Sequence, residues 1–176
     1  MKALKRLLKV LAIIAAVVLV LAVTCLIANA ISRSGIEAYI DSFDKVEYEN
    51  QLTPAKDECG NYYFVTDGDF KVMQLTDVHL GGGFLFDGGD RRAIHAVAAM
   101  IQAEKPDLVI VTGDISFAVP WAGTLDNSVA HGYFKRLMEN LGVYWTVAFG
   151  NHDSEAYDFY PRDAVADMYQ DESLEY

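Results

Sequence analysis

Three short polar clusters in this sequence hold side chains that bind metals or move protons. They read DVH from Asp77, GD at Asp114 and GNHD around Asn151, and each directly follows an apolar run. Asp77, Asp114 and Asn151 are separated by equal steps of 37 residues. A strand–helix–strand unit takes about 30 residues or more, so the spacing predicts that the clusters end successive strands of one sheet.

The side chains of these clusters favour a metal site. Asp77 and His79 are two residues apart, so on an extended segment both side chains would face the same way. A carboxylate with an imidazole suits zinc, manganese or iron better than calcium. Asp114 can bridge two ions through its two oxygens, and Asn151 offers an amide oxygen. Two ions about 3.5–4 Å apart can activate a water and hold a phosphate for in-line attack.

His152 and Asp153 are expected to transfer a proton beside these ions. His152 can protonate a leaving group, and Asp153 can orient its imidazole, as carboxylates often do. Each motif alone could be an ordinary polar turn, but their ordered occurrence at three strand ends favours chemistry. His95 and His131 fall within predicted helices and are expected to be surface or boundary histidines.

The elements between the clusters alternate between strand and helix. Asp67-Gly68 between two β-rich runs, 62–66 and 70–76, indicates a hairpin. Asp90 is expected to cap the first helix of the domain and Gly142 to end the second. An α/β fold with right-handed crossovers follows, with the clusters at the sheet edge where ligands bind. The predicted helices cover 91–105, 127–141 and 162–170, and the predicted parallel strands cover 70–76, 108–112 and 143–149.

The amino-terminal region predicts a membrane segment. Residues 10–28 form an almost unbroken apolar run that is long enough for a helix to cross a bilayer. Four cations within residues 1–9 precede it, which places the start of the chain in the cytoplasm and the domain on the extracytoplasmic side. A signal peptide cleaved at the A-x-A sequence of residues 28–30, or a lipid on Cys25, would also export the domain.

The anchor is expected to lead through a connecting segment into the domain. Apolar side chains in residues 31–50 recur at helical spacing, which is compatible with a short stalk helix and equally with a poorly ordered linker. Those side chains are Ile36, Tyr39, Ile40 and Phe43. The predicted division is a cytoplasmic tail (1–9), a transmembrane anchor or signal segment (10–30), a stalk or linker (31–60) and a domain (61–176).

Charge argues against nucleic acid as a partner. Acidic residues outnumber basic ones by 25 to 14, for a net charge of −11. Because four cations lie in the first nine residues, the rest of the chain carries about −15. Such a surface repels nucleic acid and anionic membranes unless a bound cation supplies positive charge. Only Cys59 lies outside the apolar run, so no disulfide framework is predicted.

The motifs LTDVHLGGG, VIVTGDI and VAFGNHD resemble the first three motifs of the calcineurin-like metallophosphoesterase family. The segments EKPDLVIVTGD, FGNHDSE and RDAVADMYQDESLEY, with the hairpin before DVH, resemble its purple-acid-phosphatase-29 branch. The resemblance covers residues 61–176. It implies the N-terminal half of a four-layer α/β/β/α sandwich and hydrolysis of small phosphomonoesters or phosphodiesters.

The resemblance also implies a ligand set for two divalent ions (manganese, iron or zinc). Asp77, His79 and Asp114 would hold one ion, Asp114 and Asn151 the other, and His152 would be the proton donor. Members of the family carry further metal-ligating histidines downstream, whereas no histidine follows His152 in this sequence. The expectation is therefore a fragment that binds metal weakly and turns over slowly or not at all. The alternatives are an inactive membrane-anchored remnant that binds a metal or a partner, and a structural membrane protein.

Overall fold

A computed structural model describes residues 2–170 of the chain. Two antiparallel strands form a small separate ribbon, and a three-stranded parallel sheet carries helices between its strands. The elements in chain order are α1 (Lys2–Asp41), β1 (Ala55–Lys56), β2 (Tyr62–Tyr63), β3 (Val72–Leu75), α2 (Asp87–Glu104), β4 (Leu108–Val111), α3 (Asn127–Leu141), β5 (Trp145–Val147) and α4 (Arg162–Asp167). Two three-residue 3-10 helices cover Pro120–Ala122 and His152–Ser154.

The parallel sheet has the order β3-β4-β5, and its strands alternate with helices along the chain as predicted. Strand β4 is central, and Val109 and Val111 on it are fully buried. The register pairs Val109 with Met73 on one side and with Trp145 on the other. Both neighbours run parallel to β4, so all three strands point their carboxyl ends to one edge.

The core lies between this sheet and the apolar faces of three helices. The predicted face of α2 is buried through Ile94, Val97 and Ile101. Helix α3 buries Phe134 and Leu137. Each such side chain removed from water contributes about 1.5–3 kcal/mol, so these faces fix both helices on the sheet.

The predicted hairpin of residues 62–66 with 70–76 is wrong. Strand β2 pairs antiparallel with β1, across a turn in which Asp57 accepts the amide hydrogens of Cys59 and Asn61. Strand β3 instead pairs in parallel with β4, which buries Leu75. The ladder with β4, which buries Val109 and Val111, gains more apolar contact than an exposed hairpin would.

Helix α1 continues without a break from the apolar run into the domain. Residues 31–41, where a separate stalk or a linker was expected, complete the helix, and Ile36 and Ile40 are fully buried in the domain core. Asp41 at its end forms a two-pronged ion pair with Arg136 on α3, with N–O distances of 2.7 and 2.6 Å. By length and composition α1 could cross a membrane, as a span or as a signal sequence. The division into anchor, stalk and domain stays a prediction.

Asp90 does not cap α2, because this helix already begins at Asp87. Its carboxylate is 1% exposed and accepts the amide hydrogens of Gly81 and Gly82 at 2.8 and 2.9 Å. It therefore joins α2 to the glycine-rich loop that follows the DVH cluster. Burial raises the pKa of Asp90 from 3.8 to about 6, against the opposing effect of the two amide hydrogen bonds.

This pKa predicts a loss of stability as the pH rises. Because the folded-state pKa lies above the unfolded value, the neutral carboxyl is favoured by folding, and this contribution is lost between about pH 4 and about pH 6. A shift of this size corresponds to about 3 kcal/mol. The free energy of unfolding of wild type minus that of Asp90→Asn, measured by urea titration at several pH values, is expected to fall across this range. A pH-independent difference would contradict the prediction.

Candidate metal centre

The segments that follow β3 and β4 remain paired beyond the strands. The amide of Asp77 donates to the carbonyl of Gly113 at 3.1 Å, and the amide of His79 donates to the carbonyl of Asp114 at 3.0 Å. An isolated parallel bridge between Leu80 and Ser116 extends the pairing. The DVH and GD clusters are therefore held side by side at the carboxyl edge of the sheet.

The DVH cluster was expected to be extended, but its backbone is not extended. Asp77, His79 and Asp114 all have left-handed backbone conformations, with φ values of 56°, 52° and 55°. Few residues other than glycine adopt this conformation, although aspartate, asparagine and histidine do so several times more often than most. Strain of this kind clusters at functional sites, and here it occurs at three candidate metal ligands.

Asp77, His79 and Asp114 form one cluster of donor atoms despite this difference. Their ligand atoms all lie within 4.8 Å of one another. His79 Nε2 is 3.4 Å from Asp77 Oδ1 and 4.0 Å from Asp114 Oδ2. Hydrogen bonds from Thr76 and His79 lower the pKa of Asp77, so this carboxyl is ionised at neutral pH. Two carboxylates with one imidazole suit manganese, iron or zinc, so the donor set fits the expected ions.

Two glycines allow the GD and GNHD clusters to approach each other. A Cβ on Gly113, which has a φ of 111°, would lie 2.5 Å from the amide nitrogen of Gly150. A Cβ on Gly150 would collide with Oδ1 of Asp114. Backbones this close tolerate no side chain at either position, which explains why glycine precedes the polar residue in both motifs.

The GNHD cluster lies against the same site. The amide of His152 donates to Asp114 Oδ1 at 2.9 Å, and the ring of His152 is 5.3 Å from the ring of His79 between centroids. Phe117 packs against both rings, at 5.2 Å from His79 and 4.8 Å from His152. Asn151 is exposed at the start of the 3-10 helix, and its role as a ligand stays a prediction.

The expected contact between Asp153 and the ring of His152 is replaced by another. His152 Nδ1 lies 2.8 Å from Oε1 of Glu155, which is not among the predicted site residues. Residues 152–154 form a 3-10 helix, and in such a turn side chains three positions apart align. Glu155 therefore occupies the place beside His152, while Asp153 points into the protein.

Asp153 is a fully buried carboxylate that connects two clusters. Its Oδ1 accepts the amide hydrogens of Ile115 and Ser116 at 2.7 and 3.0 Å. Its Oδ2 accepts those of Asp114 and Gly150 at 2.9 and 2.8 Å. One side chain thus fixes the backbone that carries Asp114 and the turn that leads to Asn151.

His131 is fully buried, so the expectation of a surface or boundary position is wrong for it, whereas His95 is exposed. Nε2 of His131 is 3.2 Å from the carbonyl oxygen of Asp153, and Nδ1 of His131 is 2.7 Å from the hydroxyl of Tyr169. Burial lowers the pKa of His131, although Asp153 opposes this effect. A neutral ring therefore donates from Nε2 to the carbonyl and accepts from Tyr169 at Nδ1.

Asn127 supports the same turn and begins α3. Its Nδ2 donates to the carbonyl oxygens of Asp153 and Tyr160, at 3.0 and 2.9 Å. Asn127 and His131 are four residues apart, which places both on one face of α3. Their spacing on an amphipathic helix was the available signal in the sequence, but what they contact depends on the fold.

A parallel α/β sheet with a carboxylate–imidazole cluster at its carboxyl edge defines an α/β protein with a candidate metal site, and comparison with known proteins specifies the family. Residues 70–175 match the family model described as calcineurin-like phosphoesterase. The chain therefore belongs to the calcineurin-like phosphoesterase family.

Three curated relatives from Arabidopsis thaliana are similar to this chain over part of their length. "Probable inactive purple acid phosphatase 28" is 29% identical over 53% of this chain and 25% of its own length. "Probable inactive purple acid phosphatase 14" is 28% identical over the same shares of the two chains. "Probable inactive purple acid phosphatase 29" is 26% identical over 58% of this chain and 28% of its own length. The chain thus spans about a quarter of the length of these relatives.

Proposed function

We propose that this chain carries the amino-terminal part of a dinuclear metal site that hydrolyses phosphomonoesters or phosphodiesters. Asp77, His79 and Asp114 would hold one divalent ion, and Asp114 with Asn151 would hold the other. The observation that carries the proposal is the convergence of three ligand atoms within 4.8 Å, with the ring of His152 beside them. Manganese, iron and zinc fit this donor set.

The ions would activate a water and bind the phosphate oxygens. The side chains would hold the ions in position and protonate the leaving group. Oδ1 of Asp114 accepts the amide hydrogen of His152, and Oδ2 lies on the side of His79, so this carboxylate would help to hold the ions while it positions the backbone of His152. His152 would protonate the leaving group from Nε2 while Glu155 holds Nδ1. Asp153 would then act by positioning the backbone of the site rather than by orienting the imidazole.

The proposal extends to the fold and to the location of the protein. The three-stranded sheet would be the first half of the four-layer α/β/β/α sandwich. Helix α1 would be a single-pass anchor, with the domain on the extracytoplasmic side because the cations precede the apolar run. Small phosphoesters would be the substrates, and the acidic surface disfavours nucleic acid.

A non-catalytic role is the second candidate. The printed names of all three relatives include the word "inactive". In that case the domain would bind a metal or a partner at the membrane without turning over a phosphoester. The genomic sequence after Tyr176 bears on the choice, because a continuing frame with a G-H-x-H-like motif would supply the histidine ligands that the family uses.

Manganese binding and phosphoester hydrolysis together test the proposal. We expect calorimetry to detect Mn²⁺ binding, and 4-nitrophenyl phosphate or its bis ester to be hydrolysed only with the metal present. Both assays apply to this chain and to any longer product of the same reading frame. His152→Ala is expected to lower kcat by about 10²- to 10⁴-fold with Mn²⁺ affinity retained, because it removes only the proton donor.

His95→Ala is the matched control, because His95 is exposed and outside the three clusters. It is expected to leave binding and hydrolysis unchanged. Mn²⁺ binding without hydrolysis of any phosphoester would favour the non-catalytic role. Absence of both would mean that the polar strand ends are incidental.

A further inference from the structure

Helix α1 is joined directly to the two loops that border the metal centre. Nδ2 of Asn29 donates to the carbonyl oxygen of Gly123 at 2.8 Å, and its Oδ1 accepts the amide hydrogen of Phe84 at 2.9 Å. Cys25, one turn earlier, also contacts the carbonyl oxygen of Gly123, with a 3.6 Å separation. Gly123 follows the GD cluster and Phe84 follows the DVH cluster. Both loops therefore lie where the apolar run ends.

The opposite end of the domain contacts the far end of the same helix. Ser32 bonds to Asp87 at the start of α2, whereas Asp41 pairs with Arg136 in the second half of α3. Between Asn29 and Asp41 a helix rises about 18 Å. Moving away from the apolar run, α1 therefore meets the edge with the metal centre first and the opposite edge last. If residues 10–28 span the bilayer, the metal centre lies at the edge nearest the membrane.

Exposed apolar side chains occupy the surface between the metal centre and α1. Trp121 is 65% exposed, and Leu85 is 61% exposed on the neighbouring loop. The ring of Trp121 lies 6.5 Å from the ring of Phe117, which in turn packs against His79 and His152. Tryptophan is favoured at membrane–water interfaces because its ring is apolar and its N–H is polar.

The charge of the domain favours an apolar contact with a bilayer over an electrostatic one. About fifteen net negative charges outside the first nine residues would repel an anionic bilayer. The anchor holds the domain at the surface, and the side chains of Trp121 and Leu85 supply a contact that does not depend on basic residues. A bilayer that is spanned by residues 10–28 would have its surface at the end of the apolar run, beside Trp121 and Leu85. The partner that these side chains fit is therefore that bilayer.

We infer that the metal centre faces the bilayer and that its substrate is a phosphoester carried by a membrane lipid. This inference rests on the proposed phosphoesterase function and on α1 as a retained anchor. The apolar surface would lie in the interfacial layer, and the phosphate of a lipid headgroup would reach Asp77, His79 and Asp114 from the membrane side. Cleavage by water would leave phosphate on one product and a hydroxyl on the other.

The two tryptophans of the chain provide a test of orientation that does not need activity. Trp145 begins β5, at the edge opposite the metal centre, and packs against Phe134 and Tyr169 at 5.8 and 5.5 Å. The full chain is reconstituted in phosphatidylcholine vesicles that contain lipid brominated near the headgroup. Trp145→Phe, which keeps Trp121, is expected to lose fluorescence to the bromine. Trp121→Phe, which keeps Trp145, is expected to lose none. Equal quenching, or none for Trp121, would overturn the orientation.

The substrate is tested by comparing a lipid with its own headgroup. Phosphatidic acid diluted in phosphatidylcholine vesicles and soluble glycerol 3-phosphate present the same phosphomonoester. With Mn²⁺, kcat/KM is expected to be higher for the lipid, and Trp121→Ser is expected to reduce this preference by about 10-fold. A soluble substrate hydrolysed equally well would overturn the lipid assignment and leave the phosphoesterase function intact. Hydrolysis of neither would overturn the lipid assignment, and it would overturn the phosphoesterase function as well if 4-nitrophenyl phosphate and its bis ester also stay intact. The orientation is decided by the quenching alone.

Discussion

Asp114→Asn is expected to weaken Mn²⁺ binding by more than about 100-fold. Changing a residue that only supports a metal ligand costs up to about 100-fold in affinity, and Asp114 is itself a proposed ligand. Asparagine fits the position well. It tolerates the left-handed backbone at a φ of 55°, and its oxygen can still accept the amide hydrogen of His152. The substitution therefore removes one negative charge and one metal-facing oxygen, and little else. Calorimetric titration with Mn²⁺ measures the change.

Stability without metal separates this effect from unfolding. Asp114 lies beside Asp77 and His79 in a cluster whose ligand atoms are within 4.8 Å of one another, so removing its charge also removes carboxylate repulsion. The metal-free variant is expected to unfold at the same temperature as wild type or higher. Asp67→Asn, on an exposed loop, is the control for charge and is expected to bind Mn²⁺ normally. Unchanged affinity in Asp114→Asn would show that the cluster is not the metal site.

The parts of the fold that were predictable are those set by local pattern. Helix α3 begins at Asn127 and ends at Leu141, as predicted, because the apolar spacing and the glycine stop signal agree there. Gly142 has a φ of 68°, a left-handed conformation that glycine adopts at no steric cost. The LVIV sequence of β4 likewise indicated a strand, although the expected burial on both faces holds only for Val109 and Val111, since Leu108 and Ile110 are partly buried. The even spacing of Asp77, Asp114 and Asn151 then placed the clusters at one edge.

The parts that were missed depend on contacts between distant segments. Whether Asp153 or Glu155 meets His152 depends on a single 3-10 turn, whose direction is fixed by amides 38 and 39 residues earlier in the chain. The pairing of β2 with β1 was missed because each of these strands has only two residues, too few to show an alternating pattern. His131 was assigned to the surface because a lone polar side chain on a helix gives no sign of a buried acceptor.

Asp153→Asn is expected to lower the free energy of unfolding by about 3–5 kcal/mol, as breaking a buried charged interaction does. The carboxylate accepts four amide hydrogens, two at each oxygen. Asparagine replaces one oxygen with an NH₂ group, so two buried amide donors would face another donor. Leaving a buried donor unsatisfied costs about 1–3 kcal/mol, and two such losses occur at once.

The same substitution is also expected to weaken the metal site, because it loosens the turn that carries Asn151 and His152 against Asp114. Urea titrations in mild detergent, followed by circular dichroism, measure the stability, and Mn²⁺ calorimetry below the unfolding transition measures the affinity. Asp69→Asn, on the exposed loop before β3, controls for the loss of one charge. A change below about 1 kcal/mol would mean that the four amides find other acceptors. Asp153 would then not be the group that fixes the two clusters together, and the geometry of the site would rest on the close approach at Gly113 and Gly150 and on the bond from the His152 amide to Asp114.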